Sequence, residues 1–196
     1  MLGLKMATDP RWVNLVEMNL QEILTDHAYC EQKAASNAIS IIVQYPMYPD
    51  LVQAMTEICR EEMEHFALVH EKIISMGFTL GFERKDPYVN DLSEHLRRNK
   101  THSSPQGQFV NKMLFAAMVE ARSCERFKLL SEQLAVEELR SFYRSLMESE
   151  ARHYTTFLGF ARKYGQGVDV DRCWNAFLEF EAALMNQYGK TETMHG

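Results

Sequence analysis

Glu-x-x-His occurs twice in this chain, as Glu62-Met63-Glu64-His65 and Glu150-Ala151-Arg152-His153, and each copy follows a lone glutamate at almost the same distance. Glu31 precedes Glu62 by 31 positions, and Glu120 precedes Glu150 by 30. Residues three apart share a face of an α-helix, so one wall can offer a carboxylate and an imidazole to one ion. A second helix with the same pair can serve a neighbouring ion, with its carboxylate bridging the two. One Glu from each of two further helices completes the set. That arrangement is the known template of di-iron and di-manganese carboxylate bundles, and it requires four long helices around a common interior. An oxygen-rich set with one imidazole per metal suits iron or manganese better than soft-ligand metals.

A single Glu-x-x-His is common on solvated helix faces. The doubled copies with matched upstream glutamates are much harder to obtain by chance. Their neighbours are also apolar: Met63 and Phe66 flank the first copy, and Tyr154 and Phe157 follow the second. Glu61, Glu64 and Glu148 crowd the motifs, but only Glu62 and Glu150 have a His three residues later. Glu125 competes with Glu120 on the third helix, but it stands only 25 positions before Glu150 and breaks the repeat.

The hydrophobic pattern predicts an all-α chain. With 9 Gly, 5 Pro and 12 Met in 196 residues, long helices are favoured over a turn-rich β protein. Bundle helices are expected at about 10–43, 49–76, 105–132 and 136–164, with an extra packing helix at 169–188. A long connection over 78–104, with a short helix near 88–98, lets the second and third helices run parallel. This is a ferritin-like four-helix bundle with one crossover, expected as a single domain over 1–196. The last residues, 190–196, are expected to fray.

No apolar run is long enough to span a bilayer, and residues 1–12 lack a signal core, so the chain is read as cytoplasmic with no membrane partner. The four cysteines form no Cys-x-x-Cys pair, which excludes a rubredoxin or zinc-ribbon module. The net charge of −6 decides little, because four of the acids are assigned to metal.

Four blocks carry a likeness to a known family: Asp26-His27-Ala28-Tyr29-Cys30-Glu31-Gln32-Lys33-Ala34-Ala35, Glu61-Glu62-Met63-Glu64-His65-Phe66, Glu120-Ala121-Arg122-Ser123-Cys124-Glu125-Arg126-Phe127 and Glu150-Ala151-Arg152-His153-Tyr154. They resemble the bacterial tRNA isopentenyl-adenosine hydroxylases, the MiaE-like family, over about residues 10–190. The block around Glu120 is the most distinctive. The resemblance implies a non-haem di-iron monooxygenase that uses dioxygen and two electrons from an unidentified donor protein. Its implied substrate is 2-methylthio-isopentenyl-adenosine beside the tRNA anticodon. It also implies that Glu31, Glu62 and His65 bind one iron and that Glu120, Glu150 and His153 bind the other, with Glu62 and Glu150 as bridges. Manganese is the alternative metal.

Asp26, Glu64 and Glu125 are candidates to orient the ligating histidines. Phe109, Met113, Phe115, Phe157 and Phe160 are candidates to line an apolar channel. RNA contacts are expected from Arg97, Arg98 and Lys100, supported by Arg11, Arg122, Arg126, Lys128, Arg152, Arg162 or Lys163, with Tyr45 or Tyr88 stacking on a base. Two rival functions use the same six ligands: iron storage or peroxide removal, and oxygenation of another small apolar substrate such as a fatty aldehyde.

Overall fold

The computed structural model describes residues 2–99, 103–186 and 193–195. Seven α-helices occur among them: α1 (Trp12–Met18), α2 (Leu20–Gln44), α3 (Pro49–Ser75), α4 (Pro87–Arg98), α5 (Pro105–Gln133), α6 (Glu137–Tyr164) and α7 (Val170–Met185). The four long helices lie where the apolar periodicity places them. The predicted first helix is broken, however. Asn19 sits at φ −129°, ψ 39° between α1 and α2, and its N–H closes a tight turn onto Val16. Asn competes with helical backbone bonding through its own side chain, which makes it a natural break point.

Local chemistry sets the helix ends. Asp86, Ser104 and Asp169 each accept a hydrogen bond from a first-turn N–H of α4, α5 and α7. Pro49, Pro87 and Pro105 occupy first-turn positions, where no N–H is needed. Gly165 ends α6 where a Cβ would stand 2.5 Å from the Ala161 carbonyl oxygen and 2.6 Å from a Val110 methyl, so only glycine fits.

The chain divides into two compact units. One holds α2 and α3, joined by a short turn and packed as a pair. Its interior sets Ile23, Leu24, Ala28, Ala35, Ala38 and Ile41 with Leu51, Met55, Ile58, Val69 and Ile73, all buried. Each large apolar side chain contributes about 1.5–3 kcal/mol on burial. The alanines let the two backbones approach. The segment after α3 returns along α2: the Tyr29 hydroxyl donates to the Gly81 carbonyl at 3.0 Å, and Lys33 pairs with Glu83 at 3.1 Å.

The second unit holds α4 to α7. Here α5 and α6 pair, and α4 and α7 pack against α5. α5 is buried along most of its length, including two arginines at 0 % exposure. Arg122 donates Nε and Nη2 to Glu181 Oε1 at 3.0 and 2.5 Å, and Nη1 to Glu125 at 2.8 Å. The Tyr88 hydroxyl donates to the same Glu181 oxygen at 2.9 Å. Arg126 lies over the Trp12 ring, 4.4 Å from its centre. The expectation that Arg122, Arg126 and Tyr88 contact RNA is therefore corrected: all three are internal fasteners.

Fraying is corrected for the described part of the tail, 193–195, while 190–192 and 196 lie outside the described residues. Met194 and His195 are buried. The Met194 N–H donates to Asp26 at 2.6 Å, and the His195 ring meets Asp86 at 3.3 Å and the Ser123 hydroxyl at 2.9 Å.

Candidate metal centre

In the α2–α3 unit, Glu31 projects from α2, and Glu62 and His65 project from α3 one turn apart. All three are buried, and one ligand atom from each lies within 4.8 Å of the others. His65 Nδ1 is 3.4 Å from Glu62 and 3.8 Å from Glu31. Burial is the first cause that pushes the Glu31 carboxyl up, to about 8. The nearby His65 opposes the rise, and the Glu62 charge adds to it. Two carboxylates removed from water beside each other call for a cation.

The α5–α6 unit repeats the arrangement. Glu120 comes from α5, and Glu150 and His153 come from α6. Their exposures are 4 %, 2 % and 1 %, and their ligand atoms likewise fall within 4.8 Å of one another. Cys124, one turn beyond Glu120, donates its thiol to the Met147 carbonyl at 3.4 Å. Burial, then the Glu150 and Glu125 charges, push that thiol up to about 12, so it stays protonated and inert at neutral pH. The donor chemistry of each trio, two carboxylates and one imidazole, fits a hard divalent metal such as iron or manganese.

All six sequence-predicted ligands are thus buried, three in each unit. The candidates for orienting the histidines fare differently. Asp26 accepts the Met194 N–H, Glu125 binds Thr8 and Arg122, and Glu64 is exposed. The partner that reaches one of the six candidates is His27, whose Nε2 lies 2.6 Å from Glu31 Oε1. With Glu31 ionised, as a ligand must be, His27 donates this bond. Its signal in the sequence was the i,i+4 spacing to Glu31, inside an otherwise apolar face. Of the channel candidates, Phe109, Met113 and Phe157 are buried in the core, while Phe115 and Phe160 are half-buried. Arg97 and Arg98 end α4 and are exposed, and Arg98 pairs with Glu94. Lys100 lies outside the described residues.

A family model described as tRNA-(MS[2]IO[6]A)-hydroxylase (MiaE) matches residues 2–196. The chain belongs to this family. A Pseudomonas putida relative, the tRNA 2-(methylsulfanyl)-N(6)-isopentenyladenosine(37) hydroxylase, is 36% identical over 166 residues, covering 85% of this chain and 78% of its own length. The Salmonella typhimurium protein of the same name is 28% identical, covering 85% and 77%. Among solved structures, a Synechococcus protein with aldehyde deformylating oxygenase activity superposes with a TM-score of 0.83 at 30% identity, covering 98% of this chain and 95% of its own. That likeness shows the expected fold class, the ferritin-like four-helix bundle with one crossover and an extra C-terminal helix. Membership of the MiaE family makes the protein an oxygen-dependent hydroxylase acting in tRNA modification. Among the described residues, no helix is long and apolar enough to cross a membrane.

Proposed function

We propose that this MiaE-family protein is a cytoplasmic non-haem di-iron monooxygenase. It hydroxylates the isopentenyl group of 2-methylthio-isopentenyl-adenosine in tRNA. The observation that carries the reading is the pair of buried Glu, Glu, His trios at matched positions in the two helix pairs. Glu31, Glu62 and His65 would hold one iron, and Glu120, Glu150 and His153 the other. Residues 1–196 would then act as one di-iron domain. The family name and the names of both relatives support the tRNA substrate.

Bound iron supplies what the protein lacks, a means of making ground-state dioxygen react with a C–H bond. In the balanced reaction, a methyl C–H becomes C–OH. The second oxygen atom leaves as water, using two protons and two electrons from a donor protein. The chain's own residues provide the rest. The four carboxylates would balance the charge of two divalent ions. His27 fixes the Glu31 carboxylate from behind. Arg97, Arg98 and Lys100 remain proposed phosphate contacts.

Mass spectrometry of tRNA nucleosides from cells lacking the gene tests the reading. The hydroxyl on the isopentenyl group should be missing, and a Glu62→Ala copy should not restore it. Full hydroxylation in the deletion strain would overturn the proposal. The Synechococcus likeness favours one alternative, an oxygenase acting on an aldehyde. Hydroxylated tRNA with no turnover of aldehyde rejects that alternative.

A further inference from the structure

α5 carries the ligand Glu120 and is buried along nearly its whole length, but one stripe of its N-terminal half reaches solvent: Gln108, Lys112, Phe115 and Val119. Gln108 is exposed and the other three are half-buried. Within that stripe Lys112 is anomalous. No carboxylate within ion-pairing distance of its ammonium occurs among the described residues. Most of the other described half-buried or buried cations do have an acidic partner. Lys33 has Glu83, Arg84 has Glu22, Arg122 has Glu181, and Arg140 has Glu137. Burial alone acts on Lys112, and it pushes the ammonium below its ordinary value. A cation half-removed from water without a compensating anion costs stability, and a bound anion would recover that cost.

Lys112, Ala116 and Glu120 are successive members of one i,i+4 row. Eight residues of helix separate the ammonium-bearing position from the ligand position, about 12 Å along the axis. The row between them is the small, buried Ala116, and beside it the apolar Phe115 and Val119 are half-buried. An adenosine nucleotide with a five-carbon substituent on N6 spans a comparable length from its 5′ phosphate to the terminal methyl. The polar end would face Lys112, the apolar stretch would lie along the half-buried Phe115 and Val119, and the methyl would arrive at the Glu120 level.

We propose that Lys112 is the phosphate anchor of the substrate nucleotide, a positioning residue that sets how far the isopentenyl group reaches toward the ligand Glu120. This rests on the tRNA reading above. It differs from a general basic patch because it assigns one cation to one phosphate and makes α5 a ruler between anchor and metal.

Three full-length, iron-loaded proteins test it: wild type, Lys112→Met and Lys112→Arg. Each is assayed on tRNA bearing the unhydroxylated nucleoside. Lys112→Met should raise KM for tRNA by roughly tenfold with kcat nearly retained, because one charge-assisted contact is lost. Lys112→Arg should recover most of the loss. A second readout is binding of an anticodon stem-loop RNA carrying the modified adenosine, measured across salt concentrations. The slope of log K against log salt should shrink by about 0.7 to 0.9 in Lys112→Met, one phosphate contact fewer. A third is melting: Lys112→Met should melt no lower than wild type, since it removes an uncompensated charge. Wild-type KM and an unchanged salt slope in Lys112→Met, with wild type active, would overturn the anchor and leave the tRNA reading standing. A wild type that takes up iron but never hydroxylates tRNA would overturn both.

Discussion

His27 shows how much a single side chain can decide. It is fully buried and 2.6 Å from Glu31 Oε1, so it dictates which way that carboxylate turns. Replacing it with Phe keeps the volume and removes the donor. Iron affinity should fall about 10- to 100-fold, the usual cost of losing such a support, while far-UV circular dichroism stays the same. Isothermal titration with ferrous iron under anaerobic conditions measures this. The elevated Glu31 carboxyl makes a second prediction. Its folded value, about 8, lies above the ordinary carboxyl range, so the folded metal-free protein holds a proton that the unfolded chain releases. Stability from this group is present at low pH and drains away as pH rises toward about 8. The metal-free protein should therefore melt lower at about pH 8 than at about pH 6. With metal bound the trend should reverse, because protons compete for the same oxygens. The six candidate ligands, all of them buried, could be picked from spacing alone because helix periodicity turns a sequence interval into a shared face. His27 was harder to see, since an imidazole on an apolar stripe looks the same whether it supports a ligand or fills the core.

Among the helices, α5 carries the densest polar load. Arg122 and Glu181 are both at 0 % exposure, and two N–H groups of the arginine converge on one carboxylate oxygen, which with the Arg122 bond to the Met6 carbonyl fastens α7 and the residues before α1 onto α5. Arg122→Met leaves Glu181 as a buried charge without its counter-ion and should cost about 3–5 kcal/mol in urea unfolding. Adding Glu181→Leu to the same protein should return much of that loss, since the charge goes with it. The sequence could not separate Arg122 from a surface cation, because its partner lies 59 positions away and helical periodicity carries no long-range information. The break at Asn19 was hidden for a related reason. Trp12, Leu15, Val16, Leu20 and Ile23 continue at helical spacing across it, and only the backbone at one residue departs. The C-terminal residues looked polar and loose, but Asp26 and Asp86, which receive Met194 and His195, are far upstream. By contrast, the starts of α3, α4 and α5 were legible, because Pro and its preceding residue constrain the backbone locally.

For the whole molecule, the account joins one repeated pattern to one reaction. Two helix pairs each bury a Glu, Glu, His trio. The family match extends over residues 2–196. If both trios serve metal, loading two irons per chain should raise the melting temperature, and His65→Ala or His153→Ala should each lower the iron count and that gain. Mineral growth beyond two irons per chain would instead mark a storage protein. The most direct test is isotopic. The purified, iron-loaded protein is given unhydroxylated tRNA, a reductant and 18O-labelled dioxygen, and the tRNA nucleosides are weighed by mass spectrometry. The account predicts one labelled oxygen on the isopentenyl group of each converted adenosine, and none with His153→Ala. A hydroxyl drawn from water, or full labelling by the His153→Ala protein, would contradict it.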